Sequence, residues 1–146
     1  MKVEVKWDDA AREPHVIVLT DRMTEEVQDI LKRLSEEEPT MLVGFLNDTV
    51  TMLPHEELVR IYAANQKVYA VTAKAEYVLR IRLYEVEERL DKRSFLRISH
   101  SEIVHLKQVQ SFDLSLSGTI LVKLKNGTTT FVSRRYVAKI KEVLGI

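Results

Sequence analysis

Two short blocks hold most of the side chains that could do chemistry. In each block an apolar, strand-like run ends in polar or cationic residues. The runs are residues 95–98 and 131–132, and the residues that follow them include Ser99, His100, Ser101, Ser133, Arg134 and Arg135. The apolar part would anchor the run to a core, and the polar part would then face outward. Hydroxyl, imidazole and guanidinium groups in such positions suit phosphate oxygens and the edges of bases.

The arginine pair gives the sharper of the two signals. Arg134 and Arg135 open a helical pattern over residues 134–144. Cations are not favoured at a helix N-terminus, so two arginines there indicate an external anion. An arginine can also contact guanine through two hydrogen bonds, which is worth about 1–3 kcal/mol of discrimination. The alternative is an ordinary solvated start of a helix.

Three further groups have both a functional and a structural interpretation. His100 can donate to or accept from a base edge, and when protonated it can bind phosphate; the alternative is an exposed loop histidine. Residues 65–67, Asn-Gln-Lys, could read adenine and phosphate, or form an ordinary polar turn. His105 lies in an apolar run and is predicted to be a hydrogen-bonded structural histidine. No cysteine and no further histidine spacing favours a metal site.

The sequence does not favour catalysis. It contains no nucleophile elbow, phosphate-binding glycine loop or zinc-hydrolase motif, and its 4 glycines make a nucleotide cradle improbable. We therefore expect no enzyme activity, no cofactor and no small-molecule substrate. The absence of cysteine, of a secretion signal and of a long apolar run leads us to expect a cytoplasmic protein.

Charge is unevenly distributed along the 146 residues. The formal net charge is +0, but residues 92–146 hold ten basic and three acidic residues, a balance of +7. Residues 1–91 therefore carry twelve basic and nineteen acidic residues, a balance of −7. A basic segment favours nucleic-acid binding even in a neutral chain, because affinity depends on the local field.

The order of patterns predicts two domains. Residues 1–38 read as a β-β-α extension, with strands at 2–7 and 15–20 and a helix at 23–38 that Thr24 or Asp21 could cap and residues 36–39 end. A linker is expected near 38–41. From residue 41 short strands dominate, beginning with a hairpin around Asn47-Asp48 and including small helices near 54–58, 83–91 and 134–144. The chain is thus expected to be mostly β with short helices.

Residues 41–146 resemble the LytTR DNA-binding domain of bacterial transcription regulators. The resemblance rests on blocks that follow in order: 53–62 (Leu-Pro-His-Glu-Glu-Leu-Val-Arg-Ile-Tyr), 65–69, 83–90, 95–104, and finally 126–127 with 132–136. It implies an elongated arrangement of small β-sheets and DNA contacts made by loops in successive major grooves. By position, the implied base contacts are Tyr69 or its neighbour Lys67, then His100, then Arg135. Ser99, Ser101 and Arg134 would position the backbone.

The resemblance also implies partners. The chain is similar to regulators that lack a receiver domain, since residues 1–38 are too short for a doubly wound receiver. Double-stranded DNA, in the form of promoter repeats, is the expected partner of a homodimer, and some members are restrained by a membrane-bound inhibitor protein. Residues 1–38 would serve as a dimerisation or regulatory element, or would pack their apolar helix face on the domain's own sheet. The rival interpretation is a protein-protein interaction or dimerisation module without specific DNA binding.

Overall fold

The computed structural model describes residues 1–35 and 41–146. The chain divides into two compact units, Met1–Glu37 and Glu38–Ile146. Most of the predicted linker, and the predicted end of the first helix at 36–39, lie outside the described residues. Within the described ranges, no helix is long and apolar enough to cross a membrane.

The N-terminal unit contains one helix, α1 (Glu25–Ser35). Thr24 begins it, as one of the two predicted caps: its Oγ1 accepts a hydrogen bond from the Val27 N–H at 3.2 Å, and its carbonyl accepts from the Gln28 N–H at 3.0 Å. A side-chain oxygen in this position satisfies one of the amides that a helix N-terminus leaves unpaired. The helix was therefore correctly predicted where it is described.

The two strands predicted at 2–7 and 15–20 are absent. Both segments lie outside regular secondary structure and neither pairs with a neighbour. Trp7 is 93% exposed, and the valines at positions 3 and 5 are also exposed. Alternation of polar and apolar residues favours an extended backbone, but a strand forms only when a partner supplies the hydrogen bonds. The β-β part of the predicted extension was wrong for that reason.

The C-terminal unit opens with the predicted hairpin. Strands β1 (Met41–Leu46) and β2 (Thr49–Pro54) pair antiparallel, with Leu46 opposite Thr49. The two-residue link Asn47-Asp48 therefore closes the hairpin. Asn47 has φ 53°, which asparagine tolerates and which tight hairpin turns require.

The remaining strands complete a mostly β fold with short helices, as predicted. They are β3 (Leu58–Ala64), β4 (Lys67–Thr72), β5 (Glu76–Leu79), β6 (Phe95–Ser99), β7 (Glu102–His105), β8 (Val109–Asp113), β9 (Ile120–Leu124) and β10 (Thr129–Val132). The helices of this unit are α2 (Leu83–Arg89) and α3 (Arg134–Leu144). Single 3-10 turns lie between β2 and β3, at His55–Glu57, and between β7 and β8, at Leu106–Gln108. One sheet has seven strands in the order β2-β1-β5-β4-β3-β7-β6, and the other has three in the order β10-β9-β8.

The seven-stranded sheet has an apolar core on each face. Ile61 and Ile103 belong to the core that holds Val86 of α2. Val59 and Val104 belong to the second core, which includes Val122 of β9 and Ile140 of α3. A bulge between Leu58 and Arg60 lets Val59 and Ile61, two residues apart, face different cores. The sheet is thereby held between α2 on one side and the second sheet with α3 on the other.

His105 is a structural residue of this sheet, as predicted. It is 4% exposed, and its Nδ1–H donates to the Leu58 carbonyl at 2.7 Å. Its ring stacks on Phe95 with 4.3 Å between centroids. Burial lowers the pKa of His105 below its ordinary value of 6.5, and the charge of Lys107 acts in the same direction, although the Leu58 hydrogen bond opposes them. The folded protein therefore holds this ring neutral.

The lowered pKa predicts a pH-dependent stability. Above the pKa of the unfolded chain, about 6.5, His105 is neutral in both states and contributes fully to the free energy of unfolding. As the pH falls below that value, the unfolded chain binds the proton first, and the folded state loses stability relative to it. Urea unfolding between about pH 5 and 8 should show this loss. The His105→Asn variant, which keeps an N–H donor but cannot titrate, should lack that part of the pH dependence. His15→Gln, at an exposed position, should keep it, and an equal slope in His105→Asn would contradict the prediction.

Candidate functional site

Two turns that carry predicted contact residues lie side by side at one end of the seven-stranded sheet. Asn65-Gln66 joins β3 to β4, with φ values of 52° and 62°, and His100-Ser101 joins β6 to β7. The Ala63 N–H donates to the Ser101 carbonyl at 2.8 Å, which ties the second turn to β3. The register of β3 with β7 places both turns at the same end of the strands, which we call the edge of the sheet.

The start of α3 is attached to that same edge. The Ser133 N–H donates to the Ile98 carbonyl at 2.9 Å, so Arg134 and Arg135 begin beside the end of β6. Both arginines are exposed. The Arg134 side chain lies over Gly118: a Cβ at Gly118 would be 3.3 Å from its Nε. Arg134 therefore packs on a neighbouring loop, whereas Arg135 has no carboxylate within ion-pair distance in the described ranges.

The two serines shape the turn that presents His100. The Ser101 N–H donates to Ser99 Oγ at 3.2 Å, and the two hydroxyl oxygens are 3.4 Å apart. His100 itself is exposed. The structure thus brings Ser99, His100 and Ser101 together as one compact turn with the imidazole outermost.

Arg97 holds this turn from below, and sequence reasoning missed it. Its Nε donates to the Ser99 carbonyl at 2.7 Å, its Nη2 to the His100 carbonyl, and its Nη1 to Glu87 of α2 at 2.8 Å. The side chain is only 13% exposed. A planar guanidinium presents several donors in fixed directions, so one side chain can hold three acceptors at once. The only sequence signal was a charged residue inside an apolar run.

The remaining two predicted contact residues, Lys67 and Tyr69, differ in their surroundings. Lys67 is exposed at the first position of β4, directly after the turn. Tyr69 is half-buried two residues further along, and its ring stacks on Tyr62 at 5.2 Å between centroids with 24° between planes. Tyr62 is in turn fixed by a hydrogen bond from its hydroxyl to Glu76. Lys67 therefore lies at the edge with the other polar groups, and Tyr69 lies on the sheet face.

A buried acid follows the His100 turn and links the two sheets. Glu102 Oε1 accepts from Thr130 Oγ1 of β10 at 2.6 Å, and Oε2 faces Arg60 Nη1 at 3.3 Å without a directed hydrogen bond. The Arg60 guanidinium also lies over the Tyr62 ring, 4.4 Å from its centroid. From the sequence, Glu102 was recognised only as one of the three acidic residues of the basic segment 92–146. Its pairing keeps the carboxylate inside the fold, away from the exposed cations.

Known proteins resemble this chain in sequence and in fold. Residues 48–145 match the family model for the LytTr DNA-binding domain. Two Staphylococcus aureus proteins, from strains MSSA476 and MW2, are each 30% identical to the chain over 147 aligned residues, covering 100% of it and 99% of theirs. Both are named uncharacterized HTH-type transcriptional regulators. The solved LytTr DNA-binding domain of a Bacillus cereus protein, described as a methyl-accepting/DNA response regulator, superposes with a TM-score of 0.71 at 23% identity, over 73% of this chain and 98% of that one.

The contacts of Arg97 predict that it fixes the turn. Arg97→Lys keeps the charge but cannot hold three acceptors together, so we expect a loss of about 1.5–3 kcal/mol in the free energy of unfolding. Amide exchange at residues 99–102, followed by NMR, should also become faster. Arg93→Lys is the matched control, because Arg93 is 92% exposed and its pair with Asp91 should contribute about 1 kcal/mol or less. Unchanged exchange at the turn would show that Arg97 does not hold it.

Proposed function

The chain belongs to the LytTr DNA-binding domain family, and on that premise we propose that it is a transcription regulator that reads specific DNA sequences in the major groove through loops. One observation carries the proposal. Three polar segments from different parts of the chain, at 65–67, 99–101 and 134–135, are tied to one edge of the sheet by the Ala63–Ser101 and Ser133–Ile98 hydrogen bonds. A row of exposed donors and cations of this kind suits an anionic duplex.

Turns, rather than a recognition helix, would do the reading. Every helix in the described ranges is separated from the next by strands, so no helix pair is available to form a helix-turn-helix. The His100-Ser101 turn contains only two residues between strands and projects an exposed imidazole. A major groove about 12 Å wide admits the tip of a β-hairpin, and this turn is the tip of the β6–β7 hairpin at the end of the sheet.

The surroundings of each residue support different roles. Arg135, exposed and without an ion-pair partner in the described part of the chain, is the proposed guanine contact. His100 is the proposed second base contact, and Lys67 contacts a base or the backbone beside it. Arg134 packs over Gly118, and Ser99 and Ser101 are hydrogen-bonded to each other. We assign these three residues to the DNA backbone, where they would position the protein. Tyr69 would support the first turn through its stack on Tyr62.

Promoter repeats bound by a homodimer complete the proposal. The N-terminal unit exposes large apolar side chains, among them Trp7 and Leu19. Exposed apolar groups of this kind mark interaction surfaces, and a pair of protomers would match two repeats. In this role residues 1–38 bring two copies together and residues 41–146 bind DNA.

Salt dependence tests whether DNA is the partner. We expect affinity for a duplex selected from a random pool to fall by about 0.9 log units per log unit of salt for each phosphate neutralised. The selected duplex should also outcompete bulk DNA at moderate salt. Fluorescence anisotropy with both competitors measures this. Selection that enriches no sequence would favour the rival module without specific DNA binding.

Exchange of single arginines tests the assigned roles. Arg135→Ala should relax the preference at one base position and cost about 1–3 kcal/mol on the preferred duplex. Arg134→Ala should weaken binding by a similar factor on all duplexes and leave the preference intact. Binding to a panel of single-base variants separates the two patterns. If both changes weaken every duplex equally, Arg135 is not a base contact.

A further inference from the structure

A second cationic cluster lies beyond the predicted contact residues. An open depression on the C-terminal unit is lined by Lys67, Arg80 and Arg82 together with the amide side chains of Asn47 and Gln66, and none of its lining residues is an acid. The chain as a whole has as many acidic as basic residues, 22 of each. A concave surface lined by three cations and no acidic residue favours an anion.

The two arginines are placed for an external partner. Both are exposed, and in the described ranges neither guanidinium forms an ion pair. Glu85 lies next to Arg82, but its Oε1 accepts a hydrogen bond from the Arg82 backbone N–H, at 3.4 Å. Arg80 lies over the Phe45 ring with 3.8 Å between its Cζ and the ring centroid. This contact orders the guanidinium in advance, so less side-chain freedom is lost when it binds. Residue 81, between them, packs on the apolar core, which fixes the segment from below.

The topology places this cluster on one flank of the proposed reading edge. Val68 pairs with Leu79, so the end of β5 lies beside the start of β4 and its turn. Across the sheet the order β5-β4-β3-β7-β6 separates β5 from β6 by four strand spacings, or roughly 19 Å. That exceeds the width of about 12 Å of a major groove. If the His100 turn enters the groove, Arg80 and Arg82 would therefore lie to one side of it, where a phosphate strand borders the groove.

We propose that Arg80 and Arg82, with Lys67, form a phosphate clamp that holds the backbone of the DNA duplex beside the groove read by His100. The inference rests on the proposed function and adds a contact surface to it. The clamp would bind phosphate oxygens, and these oxygens would belong to the backbone of the duplex rather than to free phosphate. Such contacts fix register and add affinity without reading sequence.

The test compares charge-removing variants of the full chain. The double variant Arg80→Gln, Arg82→Gln should make the slope of log affinity against log salt less steep by about 1.8, because each phosphate contact contributes about 0.9 to its magnitude. When salt is lowered from 1 M to 0.1 M, the affinity of the double variant should therefore rise roughly sixtyfold less than that of the wild-type chain. The difference should be the same on preferred and on bulk DNA. Arg93→Gln, an exposed arginine paired with Asp91, is the matched control and should leave the slope unchanged. Circular dichroism confirms that each variant is folded.

Two results would overturn the clamp. A slope unchanged in the double variant, while Arg135→Ala still alters base preference, would sink the clamp and leave the proposed function intact. Titration of the wild-type chain with inorganic phosphate, followed by NMR of the arginine side chains, covers the other source. Saturable shifts of Arg80 and Arg82 below millimolar phosphate, with no effect of the double variant on duplex binding, would make the depression a small-anion site instead. If the wild-type chain prefers no duplex at all, the proposed function fails first.

Discussion

The hydrogen bonds that fix the turn between β6 and β7 set the position of His100 and join this turn to β3 and α2. The Ser101 carbonyl is bound to β3, the Ser99 and His100 carbonyls are bound to Arg97, and Arg97 is bound to Glu87 of α2. Because the turn is held on several sides, the backbone at His100 is fixed before any ligand binds. A binding group that is already ordered loses less conformational freedom on association, so the proposed contact of this turn with DNA would cost less entropy.

The buried acid behind this turn has a complementary effect. A carboxylate removed from water destabilises a fold unless it is paired and hydrogen-bonded. Glu102 meets that condition through Thr130 on the second sheet and Arg60 on β3. The pairing with Thr130 couples the two sheets close to the turn that carries His100. It also keeps a negative charge two residues from His100 compensated by Arg60, so that the exposed surface there stays favourable to an anion.

The parts of the fold that local sequence determines were predicted well. The Asn47-Asp48 hairpin follows from turn chemistry, α1 from Thr24 and its helical spacing, and the role of His105 from its place in an apolar run. The strands at 2–7 and 15–20 were wrong because a strand depends on a distant partner, which alternation cannot reveal. The role of Arg97 was missed for the same reason: its acceptors come from a helix and a turn that only the folded chain brings together.

The charge pattern shows the same limit, and it bears directly on function. Along the sequence the cations concentrate after residue 92, so the first 91 residues read as acidic. Lys67, Arg80 and Arg82 belong to that acidic segment in the sequence, but in the fold they lie together and line one depression. Meanwhile, acids of both segments are drawn into ion pairs: Glu87 with Arg97 and Glu102 with Arg60. The field that a ligand meets depends on charges within about a Debye length of it. A chain of zero net charge can therefore present a local group of cations, because folding brings Lys67, Arg80 and Arg82 to one depression that no acidic residue lines.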